Sequence, residues 1–463
     1  MRQKTELRPY QNRLVTELFE NDHRLCVVRP GGGKTVSALT AIEELREQGA
    51  IRHALVIAPK RVARTVWPDE IALWAHTAGL RYQLLDGDRR QRLAQLLDAP
   101  QYDMTIIGID LVQWLIEHLD KLPDEHPLFD LLVIDEVSKL RDPTGVRAKA
   151  IAKRRDKWKM IWGLSGTLRP SSALDLFMPA RVVIGGALWG RSFYSWQNKH
   201  FYPTDYNRYQ WAPLPGHEDI INAELAPHVS TLAADELPQL PELSVLFDRI
   251  ELPLDVREAY DEMQRKLIVG DIIAANAGVA TGKLAQIANG FIYDGEEQRQ
   301  ARRLHDEKRA WLEDIIDDAA GPTVLIYEFQ EDLRLIRELL GEDVAFIGQG
   351  KSDKRGAALI DDWNAGKIPF LVLHPTSGGH GLNLQKGGAD MAWLSPTWSP
   401  EMWEQTIARL HRSGQTQPVM VRVCVASRTV DVLKLNRVHR KMTAQAAFEA
   451  YLREFRALAT PSP

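Results

Sequence analysis

At 463 residues, 44% hydrophobic and 26% charged, the chain can build two or three domains with substantial cores. Its formal net charge of −4 excludes attraction of a polyanion by the molecule as a whole, so any nucleic-acid contact must come from local patches. Cys26 and Cys424 sit far apart in apolar strand-like runs without a ligand pattern, which favours buried packing in a reducing cytoplasm over a disulfide or metal site.

From the N-terminus, residues 1–10 carry basic side chains with no apolar segment behind them, so no signal peptide is expected. No later run reaches bilayer length, so no membrane contact is expected either. Gln11, in Leu7-Arg8-Pro9-Tyr10-Gln11, is a carboxamide that can donate to and accept from an adenine edge at once. A strand-like run at 25–29 then opens into Pro30-Gly31-Gly32-Gly33-Lys34-Thr35 and a helical pattern over 35–48. Strand, glycine turn and helix are the setting of a phosphate loop. The glycines let backbone amides approach the phosphates of ATP, and the helix N-terminus adds a favourable dipole. Lys34 would reach the β- and γ-phosphates, and the Thr35 hydroxyl would coordinate Mg²⁺. Val28 stands where G-x-x-x-x-G-K-[ST] has its first glycine.

Further buried-strand runs at 54–58, 104–108, 131–134 and 161–164, with helical patterns such as 89–97 between them, predict a doubly wound α/β lobe. Leu131-Leu-Val-Ile-Asp135-Glu136 has the form of a buried strand ending in paired carboxylates. Asp135 would hold the metal through water, and Glu136 would polarise the attacking water as general base. Between 139 and 159, nine Lys or Arg stand against Asp142 and Asp156. That stretch reads either as a solvated helix face or as a phosphate-contacting one. Ser165-Gly166-Thr167 forms a hydroxyl-rich turn past the next strand, suited to coupling the γ-phosphate state to the rest of the chain.

The rhythm breaks near residue 185. The aromatic-rich stretch 189–215 is either the core of a small insertion or a base-stacking platform. A Pro-rich linker at 237–243 leads into an alternating strand over 243–252, then helices over 256–273 and 283–288. A second α/β rhythm runs through 323–327, 344–347, 370–374, 391–394 and 419–425, with a helical tail over 429–458 that ends in a disordered Pro-Ser-Pro. The expected organisation is two lobes: 1–240 with an insertion at about 186–236, and 241–463 with a helical insertion at about 253–310.

In the second lobe, Thr376-Ser377-Gly-Gly-His-Gly381-Leu-Asn383 follows an apolar strand. Its glycines allow backbone approach, Gly381 to the nucleotide, and its hydroxyls and amides suit sugar–phosphate contacts. Gln405, Arg409 and Arg412 belong to Gln405-Thr-Ile-Ala-Arg409-Leu-His411-Arg412-Ser-Gly414-Gln415. The arginines lie three apart, hence on one helix face, where both can neutralise charge developing in phosphoryl transfer. Roughly 370 residues separate this tract from the phosphate loop, so a nucleotide site drawing on both lobes is expected.

The ordered set resembles the superfamily 2 helicase-like ATPases, and within them the Swi/Snf-type double-stranded DNA translocases, in a compact bacterial or phage form. It comprises Leu-Arg-Pro-Tyr-Gln at 7–11, Gly-Gly-Gly-Lys-Thr at 31–35, Ala-Leu-Val-Ile-Ala-Pro at 54–59, Asp135-Glu136 and Leu-Ser-Gly-Thr at 164–167. Ser395-Pro-Thr-Trp398-Ser-Pro400 ahead of the arginine tract resembles that branch, as do Leu284 to Asn289 and Lys308 to Leu312. Val137-Ser138 departs from the usual Ala-His, and Ala408 from a glycine.

The resemblance implies two RecA-like doubly wound parallel-sheet lobes, ATP and Mg²⁺ as cofactors, and movement along duplex DNA by a cytoplasmic monomer. It also implies coupling roles for Ser165, Thr167 and Gln405, and DNA-facing positions at Lys60, Thr105, Phe329, Thr376, Ser377 and Trp398. A strand-separating DNA or RNA helicase is the rival within the class. A nucleotide-gated DNA-binding module with slow hydrolysis is the rival outside it.

Overall fold

The computed structural model describes residues 1–122, 128–169, 172–208, 210–232, 236, 239–266, 268–269, 272–273, 277–294, 300–348, 353–378 and 382–440. Two compact units, Met1–Pro238 and Gln239–Met442, divide them.

The first unit is built on β1 (His23–Val27), β2 (Ala54–Ala58), β3 (Tyr82–Leu85), β4 (Met104–Gly108), β5 (Leu131–Asp135) and β6 (Met160–Ser165). A hairpin follows, β7 (Phe201–Pro203) with β8 (Trp211–Pro213), and β9 (Val229–Thr231) then returns to the main sheet. That sheet has the order β3-β4-β2-β5-β6-β1-β9, and every pairing in it is parallel. Apolar residues fill β2, β4 apart from Thr105, and β5 as far as Asp135, because helices cover both faces. Leu55, Ile57, Leu132 and Ile134 enter one core, while Val56, Ala58, Leu131 and Val133 enter the other. The edge strands β3 and β9 escape the sequence reading, being short and carrying polar residues such as Gln83 and Ser230.

The buried aromatics of the stretch 189–215 pack as core. Trp196 stacks on Phe177, Trp189 and Phe201 at centroid distances of 5.1–5.3 Å, and Trp196 and Phe201 are buried in the sheet's own core. Tyr194, Tyr202 and Tyr206 stay exposed.

The second unit begins with β10 (Leu243–Ile250) and the helix Leu254–Lys266. The helix expected over 256–273 stops there. Two short hairpins follow, β11 (Ile268–Val269) with β12 (Ile272–Ile273), and β13 (Phe291–Asp294) with β14 (Gln300–Arg303), separated by the helix Ala277–Ala288. Four β-branched residues flanking Gly270-Asp271 favour a hairpin over a continued helix. The stretch 253–310 is therefore mixed, not helical throughout.

The main sheet adds β15 (Thr323–Ile326), β16 (Ala345–Ile347), β17 (Phe370–Leu373), β18 (Asp390–Trp393) and β19 (Val419–Ala426). Its order is β10-β19-β18-β15-β17-β16, again all parallel. A buried polar cluster ties the mixed segment to this sheet. The Lys308 ammonium donates to Asp431 Oδ2 (2.9 Å), Asn289 Oδ1 (2.8 Å) and Ser395 Oγ (3.3 Å), and Asn289 donates in turn to Asp332. Both units are thus doubly wound parallel sheets, as the sequence predicts. The tail is helical over 430–440, and the rest of the expected tail helix lies outside the described residues. Among the described residues no helix is long and apolar enough to cross a membrane.

Candidate active site

In parallel α/β sheets the carboxyl ends of the strands form the ligand-binding edge. Beyond β1 the chain turns through Gly31 (φ 81°) and Gly33 (φ 82°), left-handed values that a side chain resists, and enters the helix Lys34–Glu47. Gly32 is required by space, since a Cβ there would lie 2.3 Å from Val28 Cγ1. The Val28 amide donates to the Ser165 carbonyl (3.0 Å), tying the start of the loop to the end of β6. The Lys34 ammonium is held within the loop by the Val28 carbonyl (2.6 Å). Thr35 lies in the first turn of the helix and is partly accessible. The Gln11 carboxamide sits over Gly33, where a Cβ would meet Nε2 at 2.0 Å. Its Oε1 accepts the Arg8 amide (2.8 Å), so one part of the group already caps the helix Pro9–Glu20.

The carboxylates end β5. Asp135 is buried, and that burial pushes its pKa up to about 6 against the opposing pull of Lys34 and of the Trp67 indole. Trp67 Nε1 donates to Asp135 Oδ2 at 2.9 Å. Glu136 adopts φ 61°, ψ 56°, a left-handed conformation that is strained for a residue with a Cβ and concentrates at functional sites. Its Oε1 accepts from Ser165 Oγ (2.6 Å) and Ser138 Oγ (2.8 Å). The Thr167 hydroxyl accepts the Arg169 amide (3.1 Å), which orders the turn after β6. Phosphate loop, carboxylate pair and hydroxyl turn therefore form one connected edge. Trp67 gives no sequence signal for its role. Ser138 is visible in the sequence only as a departure from a motif.

Lys60 follows β2 on the same edge, exposed and packed beside Gly108 at the end of β4. Thr105 is corrected. It is fully buried near the opposite end of β4, hydrogen-bonded to His53 Nε2 (2.9 Å) and to Gln83 Nε2 (3.1 Å), and it has no surface to offer a nucleic acid. Several cations of the basic stretch have partners within the unit, while six of its nine Lys and Arg are exposed. Arg147 and Arg154 pair with Asp110 and Asp120, Arg155 donates to the Val183 and Ile184 carbonyls, and Lys159 donates to the Ala50 carbonyl.

In the second unit, Thr376 follows β17 and is exposed, its hydroxyl 2.6 Å from His374 Nδ1. Ser377 lies in the helical turn Pro375–Gly378, and Gly381 falls outside the described residues. Phe329 caps the helix Gln330–Leu340 and packs edge-on against Phe291, while Trp398 is half-buried against the same cluster. A cavity of about 200 Å³ at this edge is lined by Tyr327, Glu328, His374, Thr376 and Thr397.

The shared helix face expected for the arginines is also corrected. The helix Pro400–Ile407 ends before them, and residues 408–415 form successive turns. Arg409 and Arg412 nonetheless converge, both donating from Nη1 to the Leu382 carbonyl at 3.4 Å. Gln405, on the helix, donates to Glu401 (3.1 Å).

Comparison with known proteins follows this geometry. The SNF2-related domain matches residues 11–211, the stretch that carries the phosphate loop, the carboxylates and the hydroxyl turn. The p41 protein of Acyrthosiphon pisum secondary endosymbiont phage 1 is 32% identical over 95% of this chain and 96% of its own length. CHR23 of Arabidopsis thaliana, whose name gives it as an ATP-dependent DNA helicase, is 23% identical over 95% of this chain. YwqA of Bacillus subtilis, whose name gives it as an ATP-dependent helicase/translocase, is 22% identical over 92%. The chain spans 43% and 47% of the length of these last two, against nearly all of the phage relative. The SWI2/SNF2 ATPase core of Sulfolobus solfataricus, solved with dsDNA, aligns over 96% of this chain and 94% of its own at 19% identity with a TM-score of 0.43, too loose a fit to bear on the site. With a near-full-length relative above 30% identity and the domain match on this connected edge, the chain belongs to the SNF2-related, Swi/Snf-type family of superfamily 2 helicase-like ATPases.

Proposed function

We propose that the chain is an ATP-driven motor that moves along duplex DNA, hydrolysing ATP to ADP and phosphate in the cytoplasm of a bacterial or phage-infected cell. The observation that carries the reading is the Glu136 carboxylate, held in a left-handed conformation at the end of β5 and bonded to Ser165, whose own carbonyl anchors the start of the phosphate loop. A change at the phosphates thus has a short covalent and hydrogen-bonded path to the general base.

Lys34 and the amides of Gly31 to Gly33 bind phosphate oxygens, and Gln11 contributes to the base end of the nucleotide. Glu136 takes the proton of the attacking water. Arg409 and Arg412, converging on one point, neutralise charge on the transferring phosphoryl group. Mg²⁺ fits the residues present: the buried Asp135 carboxylate, whose raised pKa marks a charge short of partners, and the Thr35 hydroxyl are the sparse oxygen set this ion takes alongside phosphates and water. When bound, it would neutralise charge on the β- and γ-phosphates. The DNA assignment is supported by the names of the Arabidopsis and Bacillus relatives and by the exposed Lys60 and Thr376 at the ligand edges of their sheets.

The test is ATP turnover at fixed salt with matched lengths of duplex DNA, single-stranded DNA and RNA. Duplex DNA is expected to stimulate most. Equal or greater stimulation by RNA would replace this reading with an RNA helicase. Slow turnover untouched by any of the three would leave a nucleotide-gated binding module.

A further inference from the structure

Glu136 Oε1 receives two hydroxyls, and they are not equivalent. Ser165 Oγ lies 2.6 Å from Glu136 Oε1 and also 2.6 Å from the Thr167 carbonyl. A hydroxyl has one proton, so Ser165 donates to one of these acceptors at a time. Ser138 Oγ, at 2.8 Å, makes no second hydrogen bond among the described residues. Its position is also fixed more firmly. It is fully buried in the 3-10 turn Val137–Leu140, between the buried Val137 and Leu140, and the turn closes on Glu136 itself through the Lys139 amide (3.0 Å to the Glu136 carbonyl).

We propose that Ser138 is a positioning residue for the hydrolytic carboxylate, the constant donor that pins Oε1 and presents Oε2 to water whichever acceptor Ser165 serves. Among the described residues no side chain donates to Oε2, so the pinned oxygen and the reactive one are distinct. The two serines then divide the work. Ser165 changes partner and reports on the turn after β6, while Ser138 keeps the base aligned during that change. Alignment matters because the strained backbone at Glu136 sets where the side chain starts but leaves its outer torsions to be fixed by such contacts.

This inference rests on Glu136 being the general base, and the experiment separates the two. Five variants of the full chain, Glu136→Gln, Ser138→Ala, Ser165→Ala, Ser138→Thr and Ser138→Ala with Ser165→Ala, are compared for kcat, KM, equilibrium binding of ATP, and Tm. Ser138→Ala is expected to lower kcat on the order of tenfold while KM and nucleotide affinity stay within about twofold. Ser138→Thr, which keeps the hydroxyl, is expected to recover most of kcat. The double variant is expected to lose more than the product of the single losses, since either hydroxyl alone still holds the same oxygen. Parent-like kcat in Ser138→Ala, or a loss of ATP affinity in step with kcat, overturns the positioning role. Should Ser138→Thr pack too poorly to fold, as its Tm would reveal, the kcat-to-KM split and the double variant still decide. Parent-like turnover in Glu136→Gln would instead overturn the assignment of the base.

Discussion

The indole N–H of Trp67 reaches Asp135 Oδ2 at 2.9 Å, with the ring fully buried and the carboxylate nearly so. Trp67 belongs to the helix Val66–Leu73, which shares no motif with β5. The contact commits Oδ2 to protein, and the positive charge of Lys34 pulls against the burial that raises the Asp135 pKa. An acid so placed is costly to the fold and useful only to a cation.

That cost predicts a trade between stability and function. Burial holds the Asp135 pKa near 6, above its value in an unfolded chain, so the protonated form favours folding and this contribution is lost as pH rises through 6. Above that pH the charged group opposes folding by on the order of 3 kcal/mol. Asp135→Asn is therefore expected to raise resistance to urea at pH 7.5 in a chelator, with the gain fading toward pH 4, while ATP turnover is lost. Urea unfolding at the two pH values checks it, and a variant less stable at both would sink the account.

The Lys308 ammonium and Asp431 carboxylate are both almost wholly buried in the second unit, 2.9 Å apart. Burial alone would lower the lysine's pKa, yet Asp431 and its neighbours hold it above the ordinary value. Removing one partner strands a buried charge, so Lys308→Met is expected to cost about 3–5 kcal/mol. Replacing Asp431 by Leu in the same chain should recover part of that loss. Equal stability of Lys308→Met and parent by chemical unfolding would contradict this.

The sequence is most legible where local chemistry and fold agree. The apolar runs that became β2, β4 and β5 are buried on both faces, so their composition alone marks them. The phosphate loop and carboxylate pair are equally plain, because glycine and acid at those spacings have few other uses. What stayed hidden depends on distant chain or on turn geometry. Trp67 meets Asp135 across 68 positions, and β9 joins β1 from about 200 positions away. A spacing of three puts the arginines on a helix, whereas the helix ends at Ile407 and a shared carbonyl gathers them instead. The motif position of Thr105 carries no sign that its hydroxyl faces a buried histidine.

That histidine sets an acid limit on the first unit. Burial lowers the His53 pKa to about 4, below its value in an unfolded chain. The unfolded chain therefore takes up a proton first as pH falls below 6.5, and stability drops progressively until pH 4. Between pH 7 and pH 5 the loss attributable to His53 is about 2 kcal/mol. A His53→Gln variant, which cannot titrate, should show a flatter dependence of urea midpoint on pH over that interval. An unchanged slope would place the acid sensitivity elsewhere.

Lys60 and Thr105 make the sharpest contrast, since both were expected to face DNA and only one has access to solvent. Thr105→Val keeps the shape of the side chain but strips the hydroxyl from both His53 and Gln83, so it is expected to cost about 1–3 kcal/mol of stability. The folded variant should respond to duplex DNA as the parent does. Lys60→Ala removes an exposed cation at the ligand edge, so stability should hold within about 0.5 kcal/mol. The duplex concentration giving half-maximal ATP turnover should rise, and the slope of log affinity against log salt should become shallower by about one. Measuring unfolding and DNA-stimulated turnover on both variants decides the assignment. Weakened DNA response in Thr105→Val at full stability, with Lys60→Ala unaffected, would reverse it.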